Sequence, residues 1–455
     1  MAKPRCGDVL ELAVDDLAFG GEGVARADGF VVFVRGGLPG DRVRVRITEA
    51  RARYGRGVIE EVLVPASERV EPPCPYFGRC GGCRLQHFAY HAQLAFKEKQ
   101  VRDCLTRLGG LGEFEIRPIL PAPEPYGYRN KMEFTVTPGP LGPTLGLHEA
   151  ERYDVVLDIE RCRLQSETMN GLLAAFRDEA RARRLSVWDP ATEQGLLRFV
   201  TLREGRHTGE AMVNVVAGAP DLETLQPLAE GLRARVPATT SVVLNVNAKK
   251  AAVAVGSEEH QLLGRDHITE RLGDVTFQVS ANSFFQTNTR QAERLFGIVA
   301  EACELDGSET VLDLYAGTGA ISLLLARRAK RVIGVEVAAA AVADAVRNAR
   351  ANGIDNCTFL SGEVRHVLPA LMGEGVRADV VVADPPRAGF HPKALGALAA
   401  LAPARLVYVS CNPSTLARDV GDLTRQAYRL DWVQPVDMFP QTPHIEAVAR
   451  LTRRV

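Results

Sequence analysis

The pattern of apolar and polar positions divides the chain into stretches of different periodicity. Up to about residue 65, short apolar runs separate Gly-Gly and Pro-Gly pairs, and residues 42–47 alternate strictly between arginine and an aliphatic side chain. Such closely spaced strands predict a small closed barrel of the OB type. The chain up to about residue 270 stays rich in strand-like runs, such as 131–136, 199–202, 211–216 and 242–246. One helical stretch, 90–108, interrupts this region.

From about residue 272 the pattern changes. Strand-like runs at 310–314, 331–335, 380–383 and 405–410 alternate with helical ones. This alternation predicts an α/β domain whose parallel sheet is covered by helices on both faces. We therefore predict three parts: a barrel (1–66), a β-rich central domain (67–270) and an α/β domain (271–455).

Composition narrows the picture without naming a function. The chain has 455 residues, is 24% charged and 46% hydrophobic, and carries a formal net charge of −1. A nucleic-acid footprint would therefore have to be local. No apolar run reaches the length of a membrane span, and the first residues lack a signal core, so we expect a cytoplasmic protein with no membrane partner. The nine cysteines are then expected to be reduced, catalytic or metal-bound.

The alternating strand places Arg42, Arg44 and Arg46 on one face of the barrel. A solvated basic face is the simpler interpretation. A phosphate-binding surface is the functional one.

The first α/β unit has the features of a nucleotide-like cofactor site. A buried strand runs into the turn 315–319, which carries the spacing Gly-x-Gly, and a second strand ends at Glu336 about 20 residues on. A dinucleotide dehydrogenase would carry the longer Gly-x-Gly-x-x-Gly run, which is missing. The unit Asp-Leu-x-x-Gly-x-Gly with a later acid instead resembles a class I (Rossmann-like) methyltransferase that uses S-adenosylmethionine.

Two further strands end in reactive side chains. Asp384 begins the string Asp-Pro-Pro-Arg, and Cys411 lies in Ser-Cys-Asn-Pro. Parallel strands present their carboxyl ends at one edge, so we expect both residues at the cofactor site. Asp-Pro-Pro also occurs in amino-group methyltransferases, which need no cysteine. The cysteine favours a base carbon that must first be activated by covalent addition, such as carbon 5 of uracil. A base must later remove a proton, and either His444 or Glu446 is a candidate.

Together, Asp-Pro-Pro-Arg, Ser-Cys-Asn-Pro and Met-Phe-Pro-x-Thr-x-His-x-Glu resemble the RNA uracil-5-methyltransferases that modify 23S ribosomal RNA and tRNA. The resemblance implies Cys411 as nucleophile and Glu446 as the proton-abstracting base. It also implies cofactor contacts from Gln286, Tyr315, Glu336, Glu363 and Asp384.

A second cysteine set has metal-ligand spacing. Cys74, Cys80 and Cys83 follow the pattern C-x5-C-x2-C, and Cys162 lies far downstream. Spacing alone is compatible with zinc or an iron–sulfur cluster. In the family that this chain resembles, such cysteines hold a [4Fe-4S] cluster. The same resemblance makes the barrel a TRAM domain, places the basic residues of Tyr-Arg-Asn-Lys (128–131) against RNA, and packs residues 90–111 on the catalytic domain.

We predict from this a monomeric 23S ribosomal RNA methyltransferase, because many bacterial tRNA enzymes of the family lack the barrel and the cluster. A tRNA uracil-5-methyltransferase is the alternative within the class. An iron–sulfur redox or radical enzyme, and an RNA-binding protein with a degenerate catalytic domain, are alternatives from other classes.

Overall fold

The computed structural model describes residues 3–250 and 253–454, and its first part is a closed barrel of five strands. The strands are β1 (Val9–Leu17), β2 (Gly23–Ala27), β3 (Phe30–Arg35), β4 (Arg42–Ala50) and β5 (Tyr54–Val64). They follow one another in the order β1-β2-β3-β5-β4, and β1 pairs with β4 to close the ring. Val43, Val45 and Ile47 fill the interior, as alternation requires. The predicted barrel is confirmed.

Helix α1 (Tyr90–Asp103) continues into a π-helical turn (Cys104–Leu108), and a short strand, β6 (Glu115–Ile116), follows. Val101 and Leu105 are buried in the same core as strands of the C-terminal domain. This segment therefore packs on that domain, although the central domain follows it in the chain.

The central domain is a seven-stranded sheet with two helices. Its strands are β7 (Lys131–Gly139), β8 (Gly142–Glu149), β9 (Arg152–Asp158), β10 (Leu197–Glu204), β11 (Ala211–Ala217), β12 (Thr239–Val246) and β13 (Glu258–Gly264), and its helices are α2 (Glu167–Ala182) and α3 (Leu222–Arg235). The spatial order is β13-β12-β11-β10-β7-β8-β9. Aliphatic side chains of the sheet and both helices form one core. A hairpin, β14 (His267–Leu272) and β15 (Val275–Ser280), leads to the next domain.

The C-terminal domain alternates strands and helices as predicted. Its elements are α4 (Thr289–Cys303), β16 (Thr310–Leu314), α5 (Ala320–Ala326), β17 (Arg331–Glu336), α6 (Ala339–Ala351), β18 (Cys357–Ser361), α7 (Val364–Gly373), β19 (Val380–Ala383), α8 (Pro392–Leu401), β20 (Arg405–Ser410), α9 (Pro413–Gln426), β21 (Tyr428–Val436) and β22 (Glu446–Arg453). Successive residues such as Val311 and Leu312 enter different cores, so both faces of the sheet are covered. The α/β fold is confirmed.

The order of this sheet is β18-β17-β16-β19-β20-β22-β21-β6. The first five strands are parallel, whereas β22 runs antiparallel to β20. The chain moves outward from β16 in one direction through β17 and β18, and in the other through β19 and β20. Such a reversal opens a crevice at the carboxyl ends of the strands. Within the described residues, no helix combines the length and apolarity that crossing a bilayer requires.

Candidate active site

A cavity of about 770 Å³ lies at the carboxyl ends of β16, β17, β19 and β20. It occupies the crevice that the strand order creates. Six of the eight residues that the sequence singled out for catalysis or cofactor binding line it: Gln286, Tyr315, Glu336, Asp384, Cys411 and Glu446.

The turn after β16 brings backbone to the cavity wall. Tyr315, Gly317 and Gly319 have φ values of +67°, +55° and +83°, in the left-handed region that favours glycine. A Cβ atom on Gly319 would lie 2.9 Å from the Phe359 ring, so glycine is required where α5 begins. The carboxylate of Glu336 accepts hydrogen bonds from the backbone of Gly317 at 3.0 Å and of Ala338 at 2.8 Å. It is thereby fixed at the rim of the turn.

Asp313 is a cavity residue to which the sequence interpretation gave no role. Its Oδ2 accepts a hydrogen bond from Ser322 Oγ at 2.5 Å, whereas its buried Oδ1 has no partner among the described residues. Burial raises the pKa of this carboxyl to about 7. An unpaired oxygen in a dry cavity suits a ligand that brings a donor or a positive charge. The sequence feature that could have identified Asp313 is its position on the strand that leads into the glycine turn.

Strands β20 and β22 bring Cys411 and Glu446 together. Ser410 pairs with Ala447 in the antiparallel ladder, so the next residues along each strand, Cys411 and Glu446, lie opposite each other at its end. Asn412 then begins α9, because its side chain accepts a hydrogen bond from the Ser414 backbone at 3.1 Å. The thiol is therefore held at the strand end, next to a carboxylate that is 5% exposed.

The Asp-Pro-Pro-Arg loop is fastened to the cysteine loop. Asn412 Nδ2 and Thr415 Oγ1 both donate to the backbone carbonyl of Arg387, at 3.0 and 3.3 Å. The backbone nitrogen of Asp384 donates to the Leu314 carbonyl at 3.2 Å. These bonds place Asp384 and Arg387 on the wall that Cys411 shares.

The cavity lining includes three buried carboxyl groups and the guanidinium of Arg387; the carboxyl groups belong to Asp313, Asp384 and Glu446. Burial, then Glu446 and Asp384, raises the pKa of the Cys411 thiol to about 11, against the opposing effect of Arg387. Burial and Asp384 raise the pKa of Glu446 well above its usual range, and Arg387 again opposes the shift. Burial, then Asp313, raises the pKa of Asp384 to about 7. The cavity therefore favours cationic ligands, and Arg387 stabilises its ionised groups.

Two adjacent phenylalanines have different environments. Phe285 is buried against Phe277, with ring centroids 5.7 Å apart, whereas Phe284 is 67% exposed at the cavity mouth. Asn130 donates to the Gln286 carbonyl at 2.8 Å. The loop is thus held from the central domain, with the ring of Phe284 free to meet a ligand.

Two candidates lie outside this cavity. His444 lines a separate, smaller cavity, so the two possible bases that the sequence left open occupy different places. Glu363 is exposed and forms an ion pair with Arg365 at 2.5 Å, and it does not belong to the cavity lining.

The four spaced cysteines meet around another cavity. Cys74, Cys80, Cys83 and Cys162 line a space of about 560 Å³, and all four are free thiols. Burial, together with the thiols of Cys162 and Cys80, raises the pKa of Cys83 to about 12. Within residues 3–250 and 253–454, no three His, Cys, Asp or Glu side chains are positioned to hold a metal ion.

The basic residues of the Tyr-Arg-Asn-Lys segment, which the resemblance places against RNA, lie near the four cysteines. Arg129 and Lys131 line the cysteine cavity. Tyr128 donates to the Pro440 carbonyl at 3.0 Å and, like Asn130, supports a loop at the active site.

The arginines of β4 are paired with carboxylates from neighbouring strands. Arg42 and Arg44 contact Glu11, Arg44 also contacts Glu61, and Arg46 contacts Glu60. This pairing favours the solvated-face interpretation over a dedicated phosphate-binding surface.

The segment that precedes Glu446 is held by α1. Asp437 accepts hydrogen bonds from Lys97 Nζ at 2.5 Å and from the Tyr90 hydroxyl at 2.8 Å, and Lys97 also donates to the Phe439 carbonyl at 3.1 Å. Both charged side chains are 0% exposed. Gln93 contacts Gln441 through two further hydrogen bonds. We call residues 437–446 the catalytic segment.

Comparison with known proteins agrees with this geometry. Residues 243–454 match the family described as tRNA (Uracil-5-)-methyltransferase, and residues 5–59 match the TRAM domain. A protein of Halalkalibacterium halodurans described as an uncharacterized RNA methyltransferase is 41% identical over 98% of this chain and 97% of its own length. A relative from Chlorobaculum tepidum with the same description is 42% identical over 99% of this chain and 97% of its own length.

A solved structure is similar over the same extent. It is the Pyrococcus abyssi tRNA (uracil-54, C5)-methyltransferase in complex with S-adenosyl-L-homocysteine. The sequence identity is 32%, the TM-score is 0.77, and the match covers 97% of this chain and 99% of that one.

Proposed function

We infer the function from one premise: the chain belongs to the RNA uracil-5-methyltransferase family and carries a TRAM domain. It is an S-adenosylmethionine-dependent RNA methyltransferase. We propose that it methylates carbon 5 of a uracil in 23S ribosomal RNA. The observation that carries the chemistry is the convergence of Cys411, Glu446 and Arg387 on the cavity at the strand ends.

A tRNA target is the second candidate, and one finding favours it. The Pyrococcus abyssi protein, a tRNA enzyme by its name, matches this chain over 97% of its length, barrel included. The barrel therefore does not separate the two substrates. Mapping 5-methyluridine in the ribosomal and transfer RNA of a deletion strain decides between them, because only the true target loses the modification.

The cavity residues fit S-adenosylmethionine. The unpaired oxygen of Asp313 and the buried carboxyl of Asp384 suit a ligand that carries positive charge. The fixed carboxylate of Glu336 suits ribose hydroxyls. We assign Gln286 and Tyr315 to the same ligand from the wall that they share, and retain Glu363 only as an outer contact near the adenine. When bound, this cofactor supplies the methyl group.

In the proposed reaction the Cys411 thiolate adds to carbon 6 of the uracil. The carbon–sulfur bond forms as the 5,6 double bond opens, and the electron pair moves into an enolate with nucleophilic density at carbon 5. Carbon 5 then takes the methyl group. Arg387 favours the thiolate, since it opposes the rise of the thiol pKa.

Glu446 completes the cycle. Its carboxylate takes the proton from carbon 5, the double bond re-forms, and the carbon–sulfur bond breaks to release 5-methyluridine and the thiolate. A carboxyl whose pKa is raised by burial is a stronger base than a solvated one. Glu446 lines the cavity and His444 does not, so we assign the base to Glu446.

The test separates the two roles. Cys411→Ala is expected to bind RNA and cofactor without forming product or adduct. Glu446→Gln is expected to accumulate a covalent protein–RNA species that already carries the methyl group, seen on a denaturing gel with methyl-labelled cofactor. Cys357→Ala, a cysteine outside the cavity lining, is the matched control and should turn over normally. A labelled adduct from Cys411→Ala, or normal turnover by Glu446→Gln with stalling of His444→Ala, contradicts these roles.

We also propose that the four cysteines Cys74, Cys80, Cys83 and Cys162 hold a [4Fe-4S] cluster. Four free thiols around one cavity provide the full donor set of such a cluster. Its role would be structural, because it would join segments of the chain that are far apart in sequence. Anaerobically purified protein should carry about four iron and four sulfide per chain. One zinc without iron would contradict the cluster, and cluster-dependent turnover with a dispensable Cys411 would favour a redox enzyme.

The division into a barrel (1–66), a central domain (67–270) and a catalytic domain (271–455) stays part of this proposal. Residues 90–111 would belong with the catalytic domain, on which α1 packs. Limited proteolysis should cut between these parts.

A further inference from the structure

A second, smaller cavity lies on the other side of the catalytic segment. Its volume is about 190 Å³, and three separate parts of the chain line it. The barrel contributes Phe19 from the turn after β1, the cysteine-bearing segment contributes Arg84, and the catalytic segment contributes His444. Such a space admits one flat ring and is too small for a helix or a strand of a protein partner.

The catalytic segment contributes residues to the lining of both cavities. Phe439 and Glu446 line the active-site cavity, whereas Thr442, Pro443 and His444 line the smaller one. The rings of Phe439 and His444 contact each other edge to face, with centroids 6.1 Å apart. An RNA strand that places one base in the active-site cavity would therefore have its neighbouring nucleotides close to the smaller cavity.

The cavity has the side chains that bind an unstacked base. Phe19 is 50% exposed and offers a ring face for stacking. Arg84 is exposed, and one of its five N–H donors is placed on the Gly20 carbonyl at 3.1 Å. The remaining donors are available to a base edge or a phosphate.

Several cationic side chains lie near His444, although the net charge of the whole chain is −1. Burial, together with four nearby cations, lowers the pKa of His444 to about 4; these cations are Arg387, Lys97, Arg129 and Arg84. A neutral imidazole can donate from one nitrogen and accept at the other, as reading a base edge requires. Positive potential at this site complements the RNA backbone.

Backbone hydrogen bonds connect the residues around Arg84 to the catalytic segment. The nitrogens of Arg84 and Leu85 both donate to the Gln441 carbonyl, each at 3.1 Å. The barrel turn lies against the same place, since a Cβ on Gly21 would lie 3.6 Å from Pro443. A ligand in this cavity would therefore contact the segment that carries Glu446.

We propose that Phe19, Arg84 and His444 form a second base-binding subsite, which takes an unstacked base of the substrate RNA next to the target uracil. This inference rests on the proposed function for the identity of the RNA. It also gives the barrel a defined role in recognition, because the turn after β1, rather than the arginines of β4, contacts the substrate.

The experiment measures methyl transfer to unmodified transcripts of 23S ribosomal RNA and of tRNA as a function of RNA concentration. Phe19→Ala is expected to raise KM for RNA roughly 5- to 150-fold, the range that one lost base stack produces. KM for S-adenosylmethionine should stay unchanged. Phe19→Trp should restore KM, because it keeps a ring face, whereas Phe19→Leu should not. Tyr153→Ala is the matched control, since Tyr153 is an 87% exposed aromatic residue outside the cavity lining.

Transcripts that contain 5-iodouridine place the contact directly. On irradiation they should cross-link to the peptide that contains Phe19, and less to that peptide in Phe19→Ala. If the wild type methylates RNA while Phe19→Ala keeps KM within about twofold, less than one stack produces, the subsite is wrong and the proposed function stands. If the wild type forms no 5-methyluridine with either transcript, the proposed function fails instead.

Discussion

The ion pair between Lys97 and Asp437 provides a sharp test of how the active site is held. Both side chains are 0% exposed, and Asp437 is one of the residues through which α1 holds the catalytic segment. Lys97→Met keeps most of the apolar volume and removes the charge. Asp437 would then be a buried carboxylate with only the Tyr90 hydroxyl as a side-chain partner.

The expected loss of stability is large. Removing one partner of a buried pair costs about 3–5 kcal/mol, because the other charge stays desolvated. For a folding unit of 150–250 residues, about 2–4 °C of melting temperature corresponds to 1 kcal/mol. The transition of the catalytic domain should therefore fall by about 6–20 °C. At permissive temperature kcat should fall as well, since the segment leading to Glu446 loses an anchor.

The chain offers a matched control on the same helix. Lys99 forms ion pairs with Asp16 and Asp103, but its side chain is 47% exposed, so Lys99→Met should cost less than about 1 kcal/mol. The double variant Lys97→Met/Asp437→Asn also removes the unpaired buried charge of Asp437 and should recover part of the lost stability. Thermal unfolding followed by circular dichroism measures all of them. If Lys97→Met melted within about 2 °C of the wild type, as ordinary surface substitutions do, the ion pair would not hold the segment.

Four further outcomes are expected. Alkylation of Cys411, followed by mass spectrometry, should rise about tenfold per pH unit between pH 7 and 10, because the thiolate is the reactive form and its pKa of about 11 lies above this range. Glu446→Gln should lower that pKa and Arg387→Gln should raise it, since each removes a charge that acts on the thiol; a pH profile identical in both variants would contradict the assignment. Arg44→Gln should leave the salt dependence of RNA binding nearly unchanged, whereas a decrease in slope of about 0.7 would show that Arg44 contacts a phosphate. Phe284→Ala should weaken RNA binding by roughly 1–3 kcal/mol, the value of one base stack, and unchanged affinity would exclude stacking there. If the four cysteines hold the proposed cluster, its quantitative removal should lower the melting temperature of the central domain, and retained fold and activity would contradict a structural role.

Local pattern was sufficient for several strands of the catalytic domain. The runs 310–314, 380–383 and 405–410 were predicted as strands, and the structure has strands over those residues. Each is a largely apolar run, interrupted in 310–314 by Asp313, that ends at an acid, a cysteine or a glycine turn, and a strand buried on both faces is typically of this kind. The helix beginning at Tyr90 and the closed barrel followed from periodicity in the same way.

The positions of His444 and Glu446 relative to the active-site cavity needed the tertiary structure. The two residues are two positions apart and both titratable, so no local pattern distinguishes them. The register that pairs Ser410 with Ala447 brings Glu446 to the end of β20, while His444 precedes the strand and lines the other cavity. Likewise, Asp313 gained a role only when its second oxygen was found buried without a partner in the described structure.

The sequence by itself determined that residues 42–47 form a strand with arginines on one face, because alternation is a property of the strand alone. It did not determine what those arginines meet. Glu11 lies on β1, and Glu60 and Glu61 lie on β5, and only the closure of the barrel brings these carboxylates to the arginines. Periodicity fixes which way a side chain points, whereas its partner depends on pairing between strands that are distant in the chain.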